Sequence, residues 1–199
     1  VLAADQVIFE YLGDVPCAPF FITTPTRGVS LGSARTRQPL SLADWTVENY
    51  PGSQGAARWI IAPDGLSARQ TSNASPSVLL SPKSVLNLRI TGTFRVDTSS
   101  DDDFIGFVFG YQNRDQFYIF DWKQAAQGSA KRGMSIKRYD RSDADGPFVT
   151  NDFFSSISND RFTVLVDTEQ IGWKDYQDYD VTLEFIPGRI VVEVYEGGT

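Results

Sequence analysis

Three consecutive carboxylates, Asp101, Asp102 and Asp103, stand directly before the apolar run Phe104-Ile105-Gly106-Phe107-Val108-Phe109-Gly110-Tyr111. Neighbouring like charges repel, and a hard cation is the natural remedy. Calcium takes six to eight oxygen ligands at about 2.3–2.6 Å, and adjacent aspartates at a strand entry can offer side-chain and carbonyl oxygens together. The competing reading is a solvated loop that protects a strand edge. Asn113, Asp115 and Asp121 follow, and if 104–111 and 117–122 form a hairpin, the second strand returns beside the first. On that reading these three residues complete the site or build a neighbouring one. Asp121 lies among aromatics, where a carboxylate needs an Arg, a Lys or a bound cation as partner. Asp175, in Gly172-Trp173-Lys174-Asp175, is the last candidate ligand, with a salt bridge or turn cap as its alternative. The acidic loop Asp140 to Gly146 lacks the spacing and terminal Glu of an EF-hand and reads as a polar hairpin loop.

Other chemistries are removed by composition. The chain of 199 residues has no His, which excludes the usual general base, the Ser-His-Asp and Cys-His arrangements, and the commonest zinc or iron ligand. Cys17 is the only cysteine, so no intrachain disulfide and no multi-thiolate metal site can form, and it reads as a small buried hydrophobe. With 25 acidic against 18 basic residues the net charge is −7, which opposes nucleic acid and favours cations. No run of about 18 apolar residues is present, so no transmembrane segment is expected. Glycoside hydrolysis needs paired carboxylates. No Glu-x-Asp-x-x-Glu pattern occurs, and Glu193 and Glu196 have an odd spacing that points them to opposite faces of a strand.

The elements that must position these residues are strands. Leu86 to Val96 alternates apolar and polar residues, as does Tyr179 to Phe185, which Pro187-Gly188 turns into Ile190 to Tyr195. Val7 to Leu12, Phe20 to Thr24, Arg58 to Ala62, Gly65 to Gln70, Met134 to Tyr139 and Arg161 to Asp167 are further strand candidates. No segment carries helical periodicity over a dozen residues. Phe104 to Tyr111 is apolar on both faces, the pattern of a central strand, and its glycines leave one face shallow for close approach by a chain segment or ligand. Many short strands divided by Gly, Pro, Asn and Asp predict an all-β antiparallel sandwich or barrel. Residues 1–40 read as an N-terminal strand and connecting extension, and 41–199 as the main body. Val1-Leu2-Ala3-Ala4 before Asp5 reads as the end of a signal-cleavage site, and hence as export.

Together, DDDFIGFVFGYQ at 101–112, FYIFDWKQ at 117–124, IGWKDYQDY at 171–179 and VVEVYEGG at 191–198 resemble the signature of the thrombospondin C-terminal domain. Trp45 and Ile90-Thr91-Gly92-Thr93-Phe94 before the acidic triplet, and Gly133-Met134-Ser135-Ile136-Lys137 after it, fall in the family's order. The resemblance runs from about residue 45 to the C-terminus. It implies an antiparallel jelly-roll β-sandwich of the concanavalin or L-type lectin kind, binding calcium and working outside cells or at their surface in adhesion. Its partner would be an extracellular protein or glycan, and Asp101, Asp102 and Asp103 would inherit the calcium role. The wider lectin superfamily places an Asp at its sugar site ahead of a Gly-aromatic strand. By that analogy Asp103, with Tyr111 and Trp122, forms a carbohydrate-binding alternative. A hydrolase on the same architecture is the lesser rival.

The chain also departs from the family. It lacks the Cys-rich acidic repeats that precede the domain in animal proteins. Gln116 to Asp121 stands where the family's receptor-binding segment begins with a basic residue, so receptor binding of that kind is not carried over. The family continues past Tyr-Glu-Gly with strands that close the sandwich. Those strands are expected to be missing here, or replaced by another segment such as the N-terminal extension.

Overall fold

The computed structural model describes residues 10–11, 38–84, 87–168 and 171–197, with side chains from residue 39 onward. In chain order the strands are β1 (Glu10–Tyr11), β2 (Gln38–Pro39), β3 (Thr46–Asn49), β4 (Trp59–Ile61), β5 (Ala68–Gln70), β6 (Ser77–Leu80) and β7 (Leu88–Phe94). They continue as β8 (Phe104–Asn113), β9 (Gln116–Lys123), β10 (Gly133–Asp140), a short helix α1 (Thr150–Phe154), β11 (Phe162–Thr168), β12 (Tyr179–Ile186) and β13 (Arg189–Glu196). One sheet has the order β13-β12-β7-β1-β2 and the other β11-β10-β9-β8, all pairs antiparallel, with β3-β6 and β4-β5 as small ribbons. The fold is an antiparallel jelly-roll β-sandwich. No helix among the described residues is long and apolar enough to cross a membrane.

The alternating segments became strands because each has one face to bury. In β7 and β12 the register sets Leu88 opposite Phe185, Ile90 opposite Leu183 and Phe94 opposite Tyr179. Gly188 adopts φ 77°, a conformation that costs glycine nothing, and turns β12 into β13. Phe94 and Phe185 meet the second sheet at Phe107 and Phe109, with ring centroids 5.7 and 5.2 Å apart.

The four-stranded sheet is covered on both faces. Phe107, Phe109, Tyr118 and Phe120 share one face and pack toward the five-stranded sheet. The opposite face carries Phe104, Phe117, Tyr139 and Phe162, roofed by Phe153 and Phe154 of α1. This corrects the placement of 104–111 as a central strand. Among the described strands β8 is the edge of its sheet and β9 lies inside it. The apolar character of both faces comes from layers above and below, which say nothing about neighbours in the sheet plane. Gly106 has a comparable explanation, because a Cβ there would collide with the Phe120 carbonyl of β9. The close approach is by the partner strand.

A cavity of about 90 Å³ lies beside β8, lined by Trp59, Val78, Ile90, Phe107, Val108 and Leu183 among others. Small-molecule sites are commonly about 300–1,000 Å³, well above this volume. Of the expected elements, Phe20 to Thr24 and Cys17 lie outside the described residues, and only Glu10–Tyr11 of the first strand is described. Helix α1, β2, β3 and β6 were not anticipated.

Candidate metal centre

The antiparallel register of β8 and β9 sets Phe104 opposite Lys123, so the residues just before β8 lie beside the last residue of β9. Asp101, Asp102 and Asp103 occupy that entry, half-buried, with one carboxylate oxygen from each lying within 4.8 Å of the others. Among the described residues this is the only such acidic or metal-ligating group. The local chain is turned by its own side chains: Ser100 N–H donates to Thr98 Oγ1 at 3.1 Å and Asp103 N–H to Asp101 Oδ1 at 3.1 Å.

Neighbouring elements fix the triplet's backbone. Lys123 Nζ donates to the Asp102 carbonyl at 2.9 Å and to Gln127 Oε1 at 3.1 Å, and stands 3.8 Å from Asp103 Oδ1. Trp173 Nε1 donates to the Asp103 carbonyl at 3.3 Å, and Tyr176 N–H to the Val96 carbonyl at 2.7 Å, pinning the 171–178 loop to the same end. Burial pushes the Asp101 carboxyl above its ordinary value; the Asp103 N–H opposes this and the Asp103 charge adds to it. Burial lowers Lys123, while the facing charges of Asp103, Asp102 and Asp101 oppose that shift.

The donor set suits a hard cation. Three carboxylates that bring their oxygens within 4.8 Å of one another offer the oxygen ligands that calcium prefers. The expectation that carbonyls would join the carboxylates needs adjusting, because those of Asp102 and Asp103 already accept from Lys123 and Trp173. The ligands on offer are therefore the carboxylate oxygens.

The remaining candidates are dispersed. Asn113 and Asp115 lie at the far end of the hairpin, roughly 30 Å of strand away for a ten-residue β8. There Asn113 Oδ1 accepts from Asp115 N–H at 2.9 Å, and Asp115 Oδ1 accepts from Arg141 Nε at 2.7 Å. They close a turn and are not brought to the triplet. Asp121 is 6% exposed and lies on the face under α1, accepting from Lys137 Nζ at 3.0 Å and from Ser135 Oγ. Its partner is therefore a lysine. Asp175 comes to the correct end of the sheet, where it accepts from Gln124 Nε2 at 2.9 Å, one residue beyond Lys123, but stays outside the cluster.

The aromatic sugar contacts are corrected in the same way. Trp122 is 1% exposed, its N–H donates to the Ile171 carbonyl at 2.7 Å, and its ring meets Tyr179 edge-on at 4.5 Å. No ring face is left for a ligand. Tyr111 stacks on Phe117 at 5.9 Å near the far end of β8, away from Asp103. In the loop after β10, Asp145 Oδ2 accepts from Ser142 N–H at 2.7 Å, and the chain then leads into α1.

Two features escaped the sequence reading. Lys123 passed unnoticed as a partner of the triplet, although its place after Asp121-Trp122 on a returning strand was the available signal. The second is a buried clasp: Asp152 accepts from Arg161 Nε and Nη2 at 2.8 Å each, from Asn159 Nδ2 at 2.9 Å and from Val149 N–H at 2.8 Å. An acid three residues after a helix start, reaching back to the cap's N–H, was its local signature.

A model of the "Thrombospondin C-terminal region" matches residues 54–199. Thrombospondin-2 of Gallus gallus is 34% identical over 152 residues, covering 70% of this chain and 13% of its own length. Thrombospondin-4-B of Danio rerio is 32% identical over 70% of this chain and 16% of its own, and Thrombospondin-2 of Homo sapiens 33% over 70% and 13%. The chain thus spans 13–16% of the length of these relatives. With nearly three quarters of its residues in that match and the sandwich expected of it, the chain belongs to the thrombospondin C-terminal region family.

Proposed function

We propose that this chain is a secreted or cell-surface adhesion and recognition domain, without enzymatic activity, in which calcium organises the acidic end of the sandwich. The observation that carries the reading is the half-buried triplet. A carboxylate pushed up by burial and by its neighbour's charge is a group for which a cation removes a cost. Asp101, Asp102 and Asp103 would hold the ion through their carboxylates, with Asp175 nearby on the loop that Trp173 ties to the site. Bound calcium would supply charge neutralisation and oxygen-ligand cross-linking. The chain's own part is to hold the β8 entry, the end of β9 and the 171–178 loop together, so that a rigid surface faces an extracellular protein or glycan partner. Family membership supports the extracellular adhesion setting. The burial of Trp122 removes a stacking platform and disfavours the carbohydrate alternative.

The test is thermal melting of chelator-treated protein with and without millimolar calcium. A calcium-dependent rise that disappears when all three aspartates become asparagine supports the reading. An unchanged melting temperature in demonstrably metal-free protein overturns it.

A further inference from the structure

We propose that Lys123 is a built-in counter-cation of the acidic triplet, one that steadies the strand entry without metal and sets how tightly a divalent ion binds there. The inference rests on the calcium reading above and extends it to a residue outside the acidic set.

Four observations carry it. The Lys123 side chain is 2% exposed, so its charge is held in place. Its ammonium donates to the Asp102 carbonyl at 2.9 Å and to Gln127 Oε1 at 3.1 Å, and stands 3.8 Å from Asp103 Oδ1. The ring of Phe154 lies 5.4 Å away on another side. The Lys123 backbone is fixed by register, opposite Phe104 on β8 and Gly133 on β10. An exposed lysine would swing aside when an ion arrived. This one has no solvent to swing into.

Two consequences follow from electrostatics. Without metal, the ammonium offsets part of the repulsion among three carboxylates. With metal, a fixed positive charge beside a dication repels it, and half-burial screens that repulsion less than water would. Lys123 therefore lowers affinity relative to an acid-only site, in return for a protein that stays ordered when calcium is scarce. The opposing possibility is that Lys123 acts only by its hydrogen bond to Asp102, in which case removing it would weaken binding.

The experiment titrates calcium chloride calorimetrically into chelator-treated wild type, Lys123→Met and Lys123→Gln, and melts each in chelator. Both variants remove the charge, and Gln retains a donor. The expected result is calcium binding tighter by about tenfold or more in both, a change that corresponds to about 1.4 kcal/mol. Both should also melt lower than wild type in chelator. Unchanged or weaker binding in both variants, or a gain in Met alone, overturns the proposal while leaving the calcium reading intact. A wild type that takes up no calcium overturns that reading and the proposal with it. If the variants do not fold, the Lys123 side-chain NMR resonances of wild type provide the check. They should shift on calcium addition while those of Lys174 stay fixed, and a stationary Lys123 signal overturns the proposal.

Discussion

Asp152 and Asp101 are both drawn away from water, and they respond in opposite directions. Burial would raise each carboxyl. At Asp152, hydrogen bonds from Arg161, the Val149 N–H and Asn159 outweigh burial and hold the group below its ordinary value. At Asp101, one backbone N–H does not outweigh burial and the Asp103 charge, and the group is held above it. The fold thus carries both a carboxylate completed by the chain's own donors and one that burial and a neighbouring charge hold above its ordinary value. Asp121 belongs with the first kind, since Lys137 and Ser135 complete it. The pattern teaches that acidity alone does not mark a site. What separates the two kinds is how many donors the fold aims at the carboxylate.

The comparison can be broken most forcefully at the completed end. Lys137→Met leaves the Asp121 charge buried without its ion pair, and urea unfolding should show a loss of about 3–5 kcal/mol. A loss below about 1 kcal/mol would show that Asp121 is not held by that pair. At the unfinished end, calcium at a hundredfold excess over its dissociation constant should stabilise wild type by about 2.7 kcal/mol. The Asp101→Asn, Asp102→Asn, Asp103→Asn variant should gain nothing from calcium.

Asp152→Asn should cost about 2 kcal/mol at neutral pH, because charge-assisted hydrogen bonds to Arg161 become neutral ones. The pH dependence gives a sharper test. A folded-state value below the ordinary 3.8 means that the unfolded chain binds the proton first. The stabilisation is complete above 3.8 and disappears as pH falls through the lower folded value. The gap between wild type and Asp152→Asn should therefore close below pH 3.8, and a gap that widens there would contradict the assignment. The smallest effect belongs to Lys174→Ala. Lys174 and Glu196 form an ion pair with side chains 62% and 59% exposed, and the urea midpoint should not move.

Much of this was legible in the chain. Leu88 to Phe94 and Tyr179 to Ile186 announced themselves because each has a wet face and a dry face, and a two-residue period records that difference. The triplet was legible because adjacent charges need no fold to be seen. The fate of Asp121 was not. Its partner comes from β10, and only the pairing of Asp121 with Ser135 across β9 and β10 carries Lys137 to it. Separating Asn113 and Asp115 from the triplet likewise required the length of β8, since a hairpin brings strands together but holds its two ends apart. Thr46–Asn49 is mostly exposed and carries little alternation, and α1 is too short to establish a helical period.

Trp173 gives the acidic end an optical consequence. Its indole N–H rests on the Asp103 carbonyl, and its ring is 3% exposed. Indole emission depends on hydrogen bonding and on nearby charge, so any displacement of the β8 entry is written into the protein's own fluorescence. The loop that helps hold the triplet also reports on it, without a label.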